Sequence, residues 1–427
     1  LSVLRTAGAN KRKDGGRNSE SYILYQTLRD MNLSKFVAQD VPLFLSLLAD
    51  LFPSLDAPPD SSYPSVEGTM EKVIEKSGLM NFPRWQKKVV QLYETTLVRH
   101  GIMLVGPSGG GKTEIFTTLE NTLAIENKIT YKEARLNPKA IRAEEMYGEV
   151  DKISGEWTAG VFASMWAKYN NRNNPYNTWI IADGPVDAIW IEDLNTVLDD
   201  NRILTLANGD RMPMTDNVKI MFENEQLNNA SPATVSRAGI IYVSDTDLGW
   251  TPVMEAWIKK RPESQKATLQ GLFKRYIGNE SPTNPGELFL FIGTDCEPVI
   301  ALTPVGCVAA TLKLLDSLLS EAALSESHGA EYQSDLNSEL ERLFLYALSW
   351  TVCGILEQEG RVKVHEYLCK VDSDGASPQG LMMPEVGEGE TIFEYYVDSN
   401  TLNWQKWRPP TWEYPVNEGS DSLDNIK

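Results

Sequence analysis

Residues Gly106-Pro107-Ser108-Gly109-Gly110-Gly111-Lys112-Thr113 constrain this chain more than any other stretch. They follow a short apolar run, Ile102-Met103-Leu104-Val105, and precede a helical pattern in which Ile115, Leu119 and Leu123 recur every four residues. The glycines permit a tight turn whose successive N–H groups face one point. The helix that opens there adds the positive end of its dipole. The octapeptide fits G-x-x-x-x-G-K-[ST], which between a strand and a helix is a phosphate-binding loop. Lys112 is then expected to reach the β- and γ-phosphates of a nucleotide, and the Thr113 hydroxyl to ligate Mg²⁺. The bland alternative, a glycine-rich turn without a ligand, is disfavoured by the elements on either side.

Beyond the loop the chain alternates apolar strands with amphipathic helices. Strands are expected at Ile102–Val105, Thr130–Leu136, Trp179–Ala182, Val218–Phe222 and Ile240–Val243. Such alternation predicts an α/β fold, a parallel sheet flanked by helices, with the ligand at the carboxyl ends of the strands. Leu204–Met212 reads as a β-hairpin, since Asn208-Gly209 suits a type I′ turn. Asp40 can cap a helix with Pro42 in its first turn, carrying Leu43, Phe44, Leu47, Leu48 and Leu51, and a second helix runs from Pro83 to Val98. After Trp250 the pattern turns helical, with Pro304–Leu319 and Leu336–Leu356. Asn10–Asn18 reads as a solvated basic loop, and Ser320–Asp335 and Asp372–Glu390 as mobile loops. The acidic end after Tyr414 reads as disordered.

Composition narrows the function. Lys+Arg 40 against Asp+Glu 59 gives a formal net charge of −19, which argues against nucleic acid as a general partner. The four cysteines (Cys296, Cys307, Cys353, Cys369) lie far apart without C-x-x-C spacing, so reduced thiols are expected and zinc is not. The three histidines are not paired at helical spacing. No apolar run has the length of a membrane span, and no signal peptide opens the chain. The first residue is Leu1, and the sequence reads as a segment of something longer.

A P-loop ATPase also needs an acid at the end of a neighbouring strand to hold the water shell of Mg²⁺. Asp183, directly after Trp179–Ala182, is placed for that. In hydrolytic members of the AAA+ class the next residue is a Glu that polarises the attacking water. Here it is Gly184, which offers no base. Asp187, Glu192 and Asp193 follow on a different segment, as unconventional bases or as ordinary polar residues.

The run Asp183-Gly184-Pro185-Val186-Asp187-Ala188-Ile189-Trp190-Ile191-Glu192-Asp193-Leu194 resembles the second AAA+ module of a dynein heavy chain, and so does Ala230-Ser231-Pro232-Ala233-Thr234-Val235-Ser236-Arg237. Leu1–Gly8 resembles the last small-domain helix of the preceding module, and Trp407–Pro415 the lead-in to the third. The Leu204–Met214 stretch is more similar to ciliary types than to the general cytoplasmic motor. The resemblance implies residues 1–30 as the end of the preceding module, 31–250 as the large nucleotide-binding domain, 251–395 as the lid and 396–427 as a connector. It implies ATP and Mg²⁺ as cofactors, held by Gly106–Thr113 and Asp183, with Thr113 and Asp183 toward the metal. Val41 and Pro42 match the segment that packs on adenine, and Arg237 matches the arginine finger that reaches the preceding module's ATP. Asn224 falls where a sensor Asn is expected, and a softer alignment puts Ala310 in place of the sensor Arg. The implied partners are the neighbouring modules and linker of the same chain, with intermediate and light chains and microtubules engaged elsewhere; neither nucleic acid nor a membrane is implied. The implied setting is the cytoplasm and the cytoskeleton of a cilium or flagellum.

Three readings stand: a module that holds MgATP without hydrolysing it, an active ATPase with an unconventional base such as Glu192, and a nucleotide-free scaffold.

Overall fold

The computed structural model describes residues 2–36, 39–59, 62–151, 153–199, 201–281, 284–301, 303–319, 333–374, 380–399 and 401–409. They divide into two compact units. The first comprises Leu1–Pro262, Asn279–Gly286 and Thr303–Ala309, and the second Glu263–Gly278, Glu287–Leu302 and Ala310–Lys427.

The first unit is built on a parallel sheet. Its strands are β1 (Gly101–Val105), β2 (Thr130–Leu136), β5 (Tyr176–Asp183), β8 (Val218–Asn224) and β9 (Gly239–Tyr242). Three-residue strands β3 (Gly148–Val150) and β4 (Trp157–Ala159) form one hairpin, and β6 (Ile203–Thr205) and β7 (Arg211–Pro213) another. The sheet order is β2-β5-β8-β1-β9, with every neighbouring pair parallel. β1 is buried along its whole length, which is why its sequence is a continuous apolar run rather than an alternating one.

Period-two side-chain alternation sends the strands' residues to two cores. Met103, Val105, Ile180, Ala182, Ile220 and Phe222 pack with Phe162, Trp166, Trp190 and Leu194 on one face. Ile102, Leu104, Trp179, Ile181 and Met221 pack with Trp85, Val89, Leu92, Ile115 and Phe116 on the other. The α/β architecture expected from the sequence is therefore the observed one, and β2 has the expected bounds.

Local readings fare unevenly. The hairpin at 203–213 forms, but its turn is not type I′: Asn208 is absent from the residues with positive φ, and Gly209 alone takes the left-handed conformation at φ 91°. Gly209 N–H donates to Leu206 O (2.9 Å) and Leu206 N–H to Asp210 O (2.9 Å), a three-residue loop closed by a left-handed glycine. The basic run expected as a loop is helical through Asp14, because the Ser2–Asp14 helix packs on Glu20–Asn32 and Lys11 pairs with Glu20. Much of Ser320–Asp335 and the tail beyond 409 lie outside the described residues.

In the second unit, helices Glu263–Tyr276, Glu287–Asp295, Gln333–Thr351 and Gln358–Asp374 accompany the distal part of Pro304–Leu318. A two-stranded antiparallel ribbon, β10 (Tyr395–Val397) and β11 (Trp404–Lys406), completes it. The helix expected to reach Leu356 ends at Thr351, where Val352 and Cys353 N–H both bond back to Leu348 O. The start of the expected Asp372–Glu390 loop is helical to Asp374, and its far end is held: Asp372, fully buried, accepts from Met382 N–H (2.8 Å) and Met383 N–H (2.9 Å). The same carboxylate faces Arg275 (3.2 Å) and Tyr276 Oη (3.2 Å), and Arg275 reaches Glu341 at 2.6 Å.

Removing the Asp372 carboxylate leaves the buried Met382 and Met383 N–H groups without their acceptor and takes one of two carboxylates from Arg275. Asp372→Ala is expected to cost about 3–5 kcal/mol, read as an earlier unfolding transition of this unit in the full-length chain. An unmoved transition would contradict the role given to Asp372.

Candidate nucleotide site

The central strands β1, β5 and β8 all run parallel and end together, so the segments that follow them are gathered at one edge. Val105 ends β1, Asp183 ends β5, and Glu223 and Asn224 end β8. Register sets Asp183 opposite Glu223 and Val105 opposite Asn224.

The loop after β1 is pressed against its neighbours. A Cβ on Gly106 would lie 1.9 Å from Val243 O, and Gly111, at φ 79°, opens the Lys112–Asn127 helix from the left-handed region. The helix start carries no side-chain cap, which suits a terminus whose amides serve a ligand. Lys112 is buried and its Nζ donates to Gly106 O and Pro107 O, both at 2.9 Å. Burial pulls the Lys112 pKa down, an effect opposed by the carboxylates of Glu223, Glu225 and Asp183. Those acids act through space on the ammonium that a triphosphate would meet.

Thr113 Oγ1 donates to Glu223 Oε1 at 2.6 Å. Asp183 is half exposed, and Arg135 of β2 stands 3.6 Å from it, 3.4 Å from Glu223 and 2.8 Å from Glu133. Further along the loop's helix, Glu120 has its pKa pushed up to about 8 by burial and then by Glu133. Lys112, Thr113 and Asp183 thus lie at the same edge of the sheet. Glu223 joins them without having been anticipated; its position beside the acid-bearing strand end was the only available signal.

Gly184 is more than a missing carboxylate. A Cβ there would sit 2.9 Å from the Asn137 side-chain oxygen and 3.4 Å from Pro138 Cδ, and the backbone takes φ 157°, so a side chain at this position would have to push Asn137 aside and would strain the backbone. Asn224 is almost fully buried. With its amide oriented to satisfy the surrounding groups, its nitrogen donates to Gly184 O (2.7 Å) and Glu223 O (3.2 Å). That use ties strand ends together. Asp187 caps the Ala188–Ile191 helix through Ile189 N–H (3.0 Å), and Glu192 is exposed on the 3₁₀ turn that follows.

Arg237 ends the Pro232–Arg237 helix, which Ser231 caps and buried Thr234 anchors through Asn195 (3.0 Å). Its Nε donates to Asp199 at 2.9 Å, and Arg99 donates to its carbonyl. A cavity of about 360 Å³ beside it is lined by Arg99, Asp199, Ser236 and Arg237. Arg237 just precedes β9, whose Gly239 pairs with Ile102, whereas the phosphate loop follows Val105 at the opposite end of β1. Four residues of strand separate the two levels, about 13 Å. Val41 and Pro42 open the Val41–Leu51 helix, Pro42 exposed; the adjoining aromatic contacts are Phe36–Phe44 (4.6 Å) and Tyr25–Phe52 (5.2 Å).

Three family descriptions match the chain: the hydrolytic ATP-binding site of the dynein motor region over residues 1–113, the dynein-related AAA domain over 101–238, and the dynein heavy-chain AAA lid over 269–409. The chain belongs to the dynein heavy-chain family. It is 46% identical over 422 residues to the dynein gamma chain of the flagellar outer arm of Chlamydomonas reinhardtii, covering 98% of this chain and 9% of that one. It is 39% identical over 438 residues to mouse dynein axonemal heavy chain 8, covering all of this chain and 9% of the relative. With mouse dynein axonemal heavy chain 5 the figures are 41% over 419 residues, 97% and 8%. The chain thus spans about a tenth of the length of these relatives. They are axonemal and flagellar, consistent with a cytoskeletal, ciliary setting. Among the described residues no helix is long and apolar enough to cross a membrane.

Glu120 makes the site's helix pH-sensitive. A carboxyl whose folded pKa lies above its unfolded value adds stability that is complete below about 4.5 and is lost as pH rises through about 8. Glu120→Gln is expected to flatten the fall in melting temperature across that window. A slope identical to wild type would count against the burial of this carboxyl.

Proposed function

We propose that this segment is the second AAA+ module of an axonemal dynein motor, holding MgATP without hydrolysing it and lending Arg237 to the preceding module. The loop's close-packed glycines, its buried lysine and the oxygen groups of Thr113 and Asp183 fit a nucleotide and its cation. Bound Mg²⁺ would neutralise phosphate charge beside Thr113 and Asp183, and Val41 and Pro42 are assigned to the adenine side. The observation that carries the silent reading is Gly184 directly after Asp183, at φ 157° and with the Asn137 side chain close beside it. No base is present at that point, and adding one would require Asn137 to move and the backbone at φ 157° to be strained.

The family description over residues 1–113 calls its site hydrolytic, which favours the active reading. That match ends at Thr113 and includes neither Asp183 nor Gly184. The silent reading therefore keeps its support.

Arg237 sits at the level where β9 begins, about 13 Å from the chain's own loop along the sheet. That placement supports action on another module's nucleotide. Its ion pair with Asp199 is partly exposed, and a pair of that kind is worth about 0–1 kcal/mol. It can be exchanged for a γ-phosphate at little cost. The remaining partners follow from the family: the other modules and linker of the same chain, microtubules, and intermediate and light chains, in the cytoskeleton of a cilium or flagellum.

The test is the fate of nucleotide in the full-length heavy chain. ATP is expected to persist at this site through a single turnover, and Lys112→Ala to lower the bound nucleotide. ADP at this site, with turnover abolished by Glu192→Gln and binding intact, would establish the active reading instead. Unchanged nucleotide content in Lys112→Ala would establish a scaffold. Arg237→Ala is expected to slow the motor's ATPase by about 10³-fold or more while nucleotide stays bound here. A rate within a few-fold of wild type would remove the finger assignment.

A further inference from the structure

Glu223 has no role in the function described so far. Its side chain is nine-tenths buried at the end of β8, opposite Asp183 in the neighbouring strand. Oε1 accepts the Thr113 hydroxyl at 2.6 Å, and Oε2 faces Arg135 at 3.4 Å. Thr113 is the residue whose hydroxyl a phosphate-binding loop turns toward the cation. An oxygen held within hydrogen-bonding distance of that hydroxyl lies within one water of the same cation.

We propose that Glu223 is a second acidic cation-holding residue of this site, acting with Thr113 and Asp183, and that it makes nucleotide retention depend on a divalent metal. The proposal rests on the nucleotide-binding reading above. Mg²⁺ in nucleotide sites is held by one or two carboxylates, waters and the phosphates themselves, so two carboxylates and a hydroxyl are a sufficient protein share. With metal present, Asp183 and Glu223 stabilise it. Without metal, the same two charges face the triphosphate directly and repel it, with Lys112 and Arg135 as the nearby cations. Both oxygens of Glu223 are engaged, one by Thr113 and one by Arg135. That engagement argues for holding the cation and against substituting for the base missing at Gly184.

The experiment titrates Mg²⁺ against retained ATP in the full-length heavy chain, for wild type, Glu223→Gln and Lys112→Ala. Glutamine keeps an acceptor for Thr113, so the fold around the loop is preserved while the charge is lost. The Mg²⁺ midpoint of the nucleotide fraction lost in Lys112→Ala is expected to rise about tenfold in Glu223→Gln. Retention in EDTA is expected to stay equal or improve. Glu223→Asp, which keeps the charge but shortens its reach, is expected to fall between. Mn²⁺ paramagnetic resonance of the bound metal is expected to change in Glu223→Gln, a readout that a purely structural role would not move. An unchanged midpoint with nucleotide content still sensitive to Lys112→Ala overturns this proposal alone. So does loss of turnover at an unchanged midpoint, which would make Glu223 a base. Nucleotide content insensitive to Lys112→Ala overturns the nucleotide-binding reading and this proposal with it.

Discussion

The site depends on the parallel pairing of β1, β5 and β8 in one register. Because all three strands run the same way, their carboxyl ends deliver the phosphate loop, Asp183 and Glu223 to a single edge. Both faces of the sheet are buried, so slipping any strand by one residue would exchange the residues of the two cores. The apolar packing that fixes register also fixes the spacing of the charged groups. The chemistry is therefore held by interactions that are not themselves polar.

The charged groups form one connected system. Arg135 touches Glu133, Asp183 and Glu223, and Glu133 raises the pKa of Glu120 on the loop's own helix. The cation proposed between the loop and the two strand-end acids would join a system already rich in carboxylates. The protonation of Glu120 relieves one charge at its far side. This coupling links the loop's helix to β2, an outer strand of the sheet that carries no part of the phosphate motif.

What could be read from the sequence was what repeats locally. Apolar runs such as Ile102–Val105 and Trp179–Ala182 announced the strands because a strand buried on both faces needs nothing else. The phosphate loop was legible because its glycines and its Lys-Thr pair are contiguous. The contacts that define the site's chemistry are not local. Thr113 and Glu223 are 110 positions apart, and Arg237 and Asp199 are 38 apart. The β3–β4 hairpin escaped for a different reason: its strands are three residues long and mostly exposed, so no apolar alternation marks them. Only Asp151, which accepts from Ile153 and Ser154 N–H, and the left-handed Gly155 hinted at the turn between them.

Gly184 illustrates the gap between an absent residue and a closed position. From sequence, glycine there means that a carboxylate is lacking, as though one substitution would restore it. In the folded chain the backbone at 184 takes φ 157°, Asn137 fills the space beside it, and buried Asn224 fixes its carbonyl. A glutamate introduced at that point would have to displace the Asn137 side chain and strain the backbone before its carboxylate reached the phosphate edge. Asn137 is itself committed, since its Oδ1 accepts from Lys139 N–H at 3.0 Å. The proposed silence of this site would then rest on residues of β2, β5 and β8 together. A module built as proposed would retain a nucleotide as part of its framework, and its contribution to turnover would fall to Arg237, just before β9, at the other end of the sheet from the phosphate loop.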